Sequence, residues 1–272
     1  MADIDETKGK ETIEELQTEF GKGKIAFGVL DVRKKEDWDQ VWSQAETFFG
    51  GQVQGFCNNA GIFHETDWMK VKEINMDGML YGAMLAYDRM GVKNGGEGGL
   101  MVITGSMASF LADGFDSAQG SVYSVSKFAV GGLVRSQSSK KIYNIDKVRT
   151  VGICPWFVDT NLVRTNTSVG VIESTYKMRV LQPEEVGNAF ERLVVEGRPG
   201  DMLTVMPGTT FFWPNWNRKL IVLFVMASKI SRKVFGISSE NIITEQDFLK
   251  IGVVTLFLVF LLFHWILSWI GL

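Results

Sequence analysis

Short apolar runs alternate with helix-patterned segments along most of this chain, and no other feature restricts the fold as much. Ile13, Leu16 and Phe20 recur at helical spacing among acids, and Gly21 and Gly23 end that helix. Residues 24–32 form a mostly apolar run that reads as a buried strand. Trp38, Val41, Trp42, Ala45 and Phe48 mark a second helix. Residues 53–57 are a short strand running into Asn58-Asn59-Ala60-Gly61, and a long helical region follows over 68–89. The glycine-rich stretch 94–99 is a loop before a strand over 100–104. A helix over 122–142, a strand over 148–154, a helix opened by Pro183-Glu184-Glu185 and a strand over 202–206 complete the series. Proline in the first turn and acids at the positive end of the helix dipole suit such an opening. The alternation predicts an α/β fold with a doubly wound parallel sheet.

A chain of 272 residues holds one sizeable α/β domain and an appendage. A net charge of -3 gives no electrostatic case for nucleic acid. Cys57 and Cys154 lack metal or redox spacing, and each lies in an apolar run, so both read as buried free thiols of a reducing compartment. His64 and His264 are far apart in sequence, which argues against a histidine metal site or a Ser/His/Asp triad. The first residues are acidic and polar, unlike a secretory signal.

Tyr123 and Lys127 stand four apart in the helix over 122–142, so both side chains share one face. An ammonium beside a phenol favours phenolate, and the spacing predicts a Tyr123 pKa lowered toward neutrality, suited to a base. Ser106 follows the strand over 100–104, at the carboxyl end where open α/β sheets place ligands. Ser109 is the competing serine. A Tyr/Lys pair alone is common on protein surfaces, so the surrounding pattern decides.

That pattern is Asp31-Val32, Asn58-Asn59-Ala60-Gly61, Ile74-Asn75, Ser106, Tyr123-x-x-x-Lys127, Pro155 and Thr160, in this order and spacing. It resembles the short-chain dehydrogenase/reductase family over residues 10–206, and within it the 15-hydroxyprostaglandin dehydrogenase-like members. The resemblance implies a Rossmann-like fold, a nicotinamide cofactor (NAD or NADP) and a small lipophilic secondary alcohol or ketone as substrate. It implies that Tyr123 is the catalytic base and that Lys127 tunes it and holds the nicotinamide ribose. Ser106 would hold the substrate oxygen, and Asn75 a proton-relaying water. Without the resemblance, Asn75 reads as an exposed helix residue. Asp31 and Val32 would meet adenine, although Asp31 serves equally as a helix N-cap. Asn59, Ala60 and Gly61 would let the backbone approach the adenine ribose, and the same residues also suit a tight turn. Pro155, Val158 and Thr160 would line the nicotinamide. The family also implies a homodimer through the helices over 68–89 and 122–142; a non-catalytic, membrane-bound dimer partner is the alternative reading.

Four departures stand out. The family's Thr-Gly-x-x-x-Gly-x-Gly turn is absent, as if about 35 residues, most of one βαβ unit, were missing and the fold were N-terminally truncated. The strand over 24–32 would then lose the two strands that separate it from 53–57, and the residue that chooses NAD over NADP would lie in the missing part. Trp156 stands where glycine follows the family's proline. Ser106 lies 17 residues before Tyr123, which implies a loop insertion at the substrate mouth. Gly120 replaces a glutamine that the prostaglandin enzymes carry three before the tyrosine.

Past Met206 the character changes. Residues 207–250 are aromatic and basic and suggest a membrane-proximal tail, or equally a helix packed on the domain or a dimer partner. Residues 251–272 carry no charge and, as a helix, are about 33 Å long, enough for a transmembrane anchor. The expected location is therefore a membrane, single-pass, with the domain at residues 1–206 facing the cytosol, plausibly on the endoplasmic reticulum.

Overall fold

The computed structural model describes residues 1–213 apart from 65, 112–119 and 168. The described elements are β1 (Ala2–Asp3), α1 (Glu6–Phe20), β2 (Gly28–Val29), α2 (Lys35–Phe49), β3 (Gly55–Asn58), α3 (Trp68–Lys72), a π-helical turn (Glu73–Gly78), α4 (Met79–Met90), β4 (Gly99–Thr104), α5 (Ser121–Gln137), α6 (Lys140–Asp146), β5 (Val148–Pro155), α7 (Asn161–Arg164), α8 (Val169–Tyr176), α9 (Pro183–Glu196), β6 (Met202–Met206) and β7 (Thr209–Phe212). Local chemistry sets many of these ends. Asp5 caps α1 by accepting from the Lys8 amide at 3.0 Å. Gly50 closes α2 in the left-handed region.

The main sheet runs β3-β4-β5-β6-β7. Its first four strands are parallel and β7 returns antiparallel on β6. Helices cover both faces, which is why β4 and β5 are apolar almost throughout. On one face, Met79, Ala83, Ala86 and Met90 of α4 and Val130 and Val134 of α5 pack on Met101, Ile103 and Cys154. On the other, Ala189 and Leu193 of α9 pack on Val102, Val151, Ile153, Leu203 and Val205. Glycine permits the closest helix contact. A Cβ at Gly82 would stand 2.6 Å from the Trp38 ring, and one at Gly78 2.7 Å from Val32 Cγ2.

The strand expected over 24–32 stands outside the main sheet. β2 pairs only with β1, in a separate two-stranded parallel ladder, and does not join β3. The expected strand over 24–32 is therefore paired only at Gly28 and Val29, because a ladder is no longer than its shorter partner. The chain also opens on a strand, tied by the Met1 ammonium to the Ala26 carbonyl at 2.8 Å, not directly on a helix. The helix over 68–89 is interrupted by the π turn that contains Asn75. The helix over 122–142 breaks after Gln137 and restarts at Lys140, with Ser139 as the new N-cap. The sheet continues past Met206 into β7.

Cys154 is buried as expected, but Cys57 is exposed, because β3 is an edge strand here. No metal-holding cluster occurs among the described residues. The membrane expectation is corrected. No described helix is long and apolar enough to cross a membrane. The longest continuous helical stretch, 68–90, carries Lys70, Lys72, Glu73, Asp77, Asp88 and Arg89. The apolar segment 251–272 and nearly all of 207–250 lie outside the described residues.

Candidate active site

The site gathers at the carboxyl ends of β3, β4 and β5. Ser106 lies two residues past β4 and caps a short 3-10 turn, Met107–Ser109. Its oxygen accepts from the Ala108 amide at 3.2 Å, which leaves the hydroxyl hydrogen to point toward the Tyr123 phenol. Tyr123 sits in the first turn of α5, its phenol facing the Ser106 side chain, which favours the charged form, and its ring set edge-on against Phe63 at 5.4 Å. Ser109 faces inward and is buried, so of the two serines Ser106 meets the tyrosine.

Lys127 reaches back along α5. Its Nζ donates to the Thr104 carbonyl at 3.0 Å and lies 5.7 Å from the Tyr123 ring centroid. The side chain is 7 % exposed, and burial pushes the ammonium down to about 8. Tyr123 does not show the lowered pKa expected from the sequence. Burial raises it above its ordinary value, and the hydrogen bond from Ser106 only partly offsets this. The reason is geometric: the ammonium spends its bond on Thr104 and lies beside the ring, so desolvation of the phenol wins.

Asn75 is 3 % exposed, not on the helix surface. Its amide clamps the backbone of Ile62, accepting from N and donating to O, both at 2.8 Å, and it donates to Ser126 Oγ at 3.3 Å. The π turn supplies this aim, since an inserted residue swings one side chain off the regular helical register. A Cβ at Gly61 would stand 3.5 Å from both Asn75 Oδ1 and Lys127 Nζ. The Asn59-Ala60-Gly61 loop is exposed beside these groups, and Asn59 Oδ1 accepts from Thr104 Oγ1 at 2.9 Å.

Asp31 and Val32 lie further along, after β2. The Asp31 carboxylate is gripped by Arg33, with Nε to Oδ1 at 2.9 Å and Nη2 to Oδ2 at 2.7 Å, and this holds it below its ordinary pKa. It does not cap α2, whose N-cap Lys34 makes no side-chain bond. Asp31, Arg33, Lys34, Glu73, Asp77 and Tyr81 line a cavity of about 350 Å³. Val32 packs on Gly78. Pro155, Val158 and Thr160 continue from the end of β5. Val158 bridges to Leu181, and Thr160 starts α7, its amide donating to the Val158 carbonyl at 2.7 Å. Trp156 packs its ring against Phe157 and Tyr176 at 5.0 and 5.2 Å.

A nicotinamide dinucleotide fits part of this surface. Among the described residues Lys127 makes a single hydrogen bond, leaving two buried donors suited to a ribose diol. The cavity beside Asp31 is large enough for a purine. No glycine-rich turn opening a helix, as a pyrophosphate cradle requires, is present among the described residues. Sequence reasoning missed Thr104, Ile62 and Ser126, whose parts are played by backbone groups or by a hydroxyl facing into the helix.

A sequence profile of the short chain dehydrogenases matches residues 1–169. The chain belongs to that family. It is 32% identical over 150 residues to 15-hydroxyprostaglandin dehydrogenase [NAD(+)] of Bos taurus, covering 55% of this chain and 54% of that protein. The chain thus spans about half the length of the first curated relatives it matches. It is 28% identical over 204 residues to 3beta-hydroxysteroid dehydrogenase 2 of Eggerthella lenta, covering 69% and 74% of the two chains. A crystal structure of a short-chain dehydrogenase/reductase from Brucella melitensis matches with a TM-score of 0.58 at 19% identity, covering 76% of this chain and 83% of that one, a likeness of fold.

Proposed function

We propose that this short-chain dehydrogenase interconverts a lipophilic secondary alcohol and its ketone. The observation that carries the reading is the placing of Ser106, Tyr123 and the buried Lys127 ammonium together at the carboxyl end of β4, with Nζ 5.7 Å from the tyrosine ring. A bound nicotinamide dinucleotide would supply or accept the hydride. Ser106 would turn the hydrogen that faces Tyr123 onto the carbonyl oxygen when a ketone enters between them. Tyr123, kept protonated by burial, delivers a proton to the same oxygen, and takes it back in the oxidative direction. Lys127 holds the ribose, and Asn75 fixes the Asn59–Gly61 loop through Ile62. Asp31 and Val32 would meet adenine, and Pro155, Val158 and Thr160 the nicotinamide edge.

NAD is the better fit. Asp3 is a second carboxylate on the β1–β2 pair; it can accept from a ribose hydroxyl and repels a 2′-phosphate. The bovine relative's name specifies NAD(+). The substrate class follows the relatives' names, a prostaglandin hydroxyl and a 3beta-hydroxysteroid. Incubation with NAD+ or NADP+ and either a 15-hydroxyprostaglandin or a 3β-hydroxysteroid tests this. Reduction of NAD+ with one of them is expected, and Asp3→Ala should narrow the preference over NADP+; no reduction with any pair would defeat the reading. Exposed Leu80 and Met84 on α4 and Val125 and Phe128 on α5 support a homodimer through those helices. Sedimentation as a dimer that Met84→Glu converts to monomer is the expected result, and an unchanged dimer would oppose it.

A second reading has its own observation. The separation of the β1–β2 pair from the β3–β7 sheet favours a chain that keeps the fold and the pairing helices but binds no dinucleotide. Titration with NADH separates the two readings, since only the enzyme reading requires saturable binding.

A further inference from the structure

We propose that Ser109 is a positioning residue for Ser106, braced from the next strand by Cys154. The inference rests on the reading of Ser106 as the group that holds the substrate oxygen. Ser109 is 3 % exposed, and its hydroxyl oxygen is held within the turn. It accepts from the Ser106 amide at 3.2 Å, while the Ser109 amide donates to the Ser106 carbonyl at 2.9 Å. With the Ala108 amide on Ser106 Oγ, both backbone groups and the hydroxyl oxygen of Ser106 are held by one turn. A three-residue 3-10 turn has poor hydrogen-bond geometry of its own, so an outside brace matters.

The brace is Cys154. Its thiol is fully buried on β5, beside the Ser109 hydroxyl and the Ser106 amide, both of which favour its charged form. Gly105 makes room for the arrangement. A Cβ there would stand 2.8 Å from Cys154 Sγ and 2.8 Å from Ser109 Oγ, so any side chain would force the two groups apart. Remove the Ser109 oxygen and the Ser106 amide keeps only sulfur, a weak acceptor. The hydroxyl that bonds Tyr123 then loses its fixed origin.

Three readouts test this in the full chain, with Ser109→Ala as the variant. The first is the phenol titration of Tyr123 without dinucleotide, taken as the ultraviolet difference from Tyr123→Phe. Among the described residues the ionisable groups around that phenol are Lys127 on α5 and Cys154 on β5, and Ser109→Ala leaves both in place. Because the Ser106 bond favours phenolate, a looser Ser106 should raise the midpoint. The second is the infrared thiol stretch of Cys154 in a Cys57→Ala background, which should move. The third uses NAD+ and a 15-hydroxyprostaglandin or 3β-hydroxysteroid: turnover should fall about ten-fold while NADH affinity stays unchanged. Should Ser109→Ala not fold, Cys154→Ala breaks the brace from β5 and should raise the same midpoint, whereas Cys154→Ser, which keeps a hydrogen-bonding atom, should not. A midpoint and thiol band identical to wild type in Ser109→Ala overturn the proposal. Movement of both, with no turnover by any protein including wild type, upholds the brace and rejects the enzymatic reading.

Discussion

Replacing Lys127 with methionine should stabilise the fold at neutral pH while removing function. Among the described residues the buried ammonium has a single carbonyl as its hydrogen-bond partner, and burial brings its pKa from 10.5 to about 8. At about 1.4 kcal/mol per pKa unit, that burial costs the native state on the order of 3 kcal/mol wherever the group is charged. The sign follows from proton counting. Between pH 8 and pH 10.5 the unfolded chain holds a proton that the native chain has released, so wild-type stability rises with pH across that window. Below pH 8 the cost is fully present, and above pH 10.5 it is gone. Methionine keeps the length of the side chain and carries no charge. It forfeits the bond to Thr104, worth about 1 kcal/mol at every pH. The pH-dependent part is therefore the decisive quantity. Buried Tyr123 and Cys154 also titrate at alkaline pH, but they do so in both proteins and largely cancel in the difference. Urea unfolding of both proteins at several pH values from about 7 to about 10.5 measures it. The advantage of Lys127→Met should shrink by on the order of 3 kcal/mol over that range. A difference that stays constant with pH would show that the ammonium titrates normally and is not desolvated, and the account of the site would lose its buried cation.

Two further outcomes follow from the geometry. In the dinucleotide-free protein Tyr123 should titrate above 10, as its burial requires, and a midpoint near neutral would restore the simpler view of a lysine-activated phenolate. Gly78→Ala places a methyl 2.7 Å from Val32 Cγ2 and 3.0 Å from the Val32 carbonyl oxygen, so it should destabilise the fold by about 1–3 kcal/mol and weaken NADH binding by displacing Asp31; thermal and fluorescence titrations read the two effects, and unchanged values would refute the packing.

Much of the architecture was legible because apolar periodicity reports burial directly. Met101, Ile103, Val151 and Ile153 form uninterrupted apolar runs because both faces of their strands are covered. The site residues were legible for another reason: Ser106, Tyr123 and Lys127 carry chemistry in their side-chain types, and their spacing fits a strand end and one helical face. What stayed hidden depended on backbone and direction. Nothing in the residues 73–78 announces a π turn, yet that turn takes Asn75 from the surface to the Ile62 backbone. The Thr104 carbonyl that captures Lys127 has no signature in a sequence, so the pKa of Tyr123 was expected to move the wrong way. β7 was missed because Thr209–Phe212 is a four-residue edge strand with little burial, and pairing with β6 alone defines it.

The most direct test of the central claim is turnover by the Tyr123→Phe variant. With NAD+ and a 15-hydroxyprostaglandin or 3β-hydroxysteroid that the unaltered chain oxidises, removal of one oxygen should lower kcat by about 10²-fold or more while NADH still binds. Turnover by the phenylalanine variant at the rate of the unaltered chain would mean that the proton travels by another group, and the site described here would not be the seat of the chemistry.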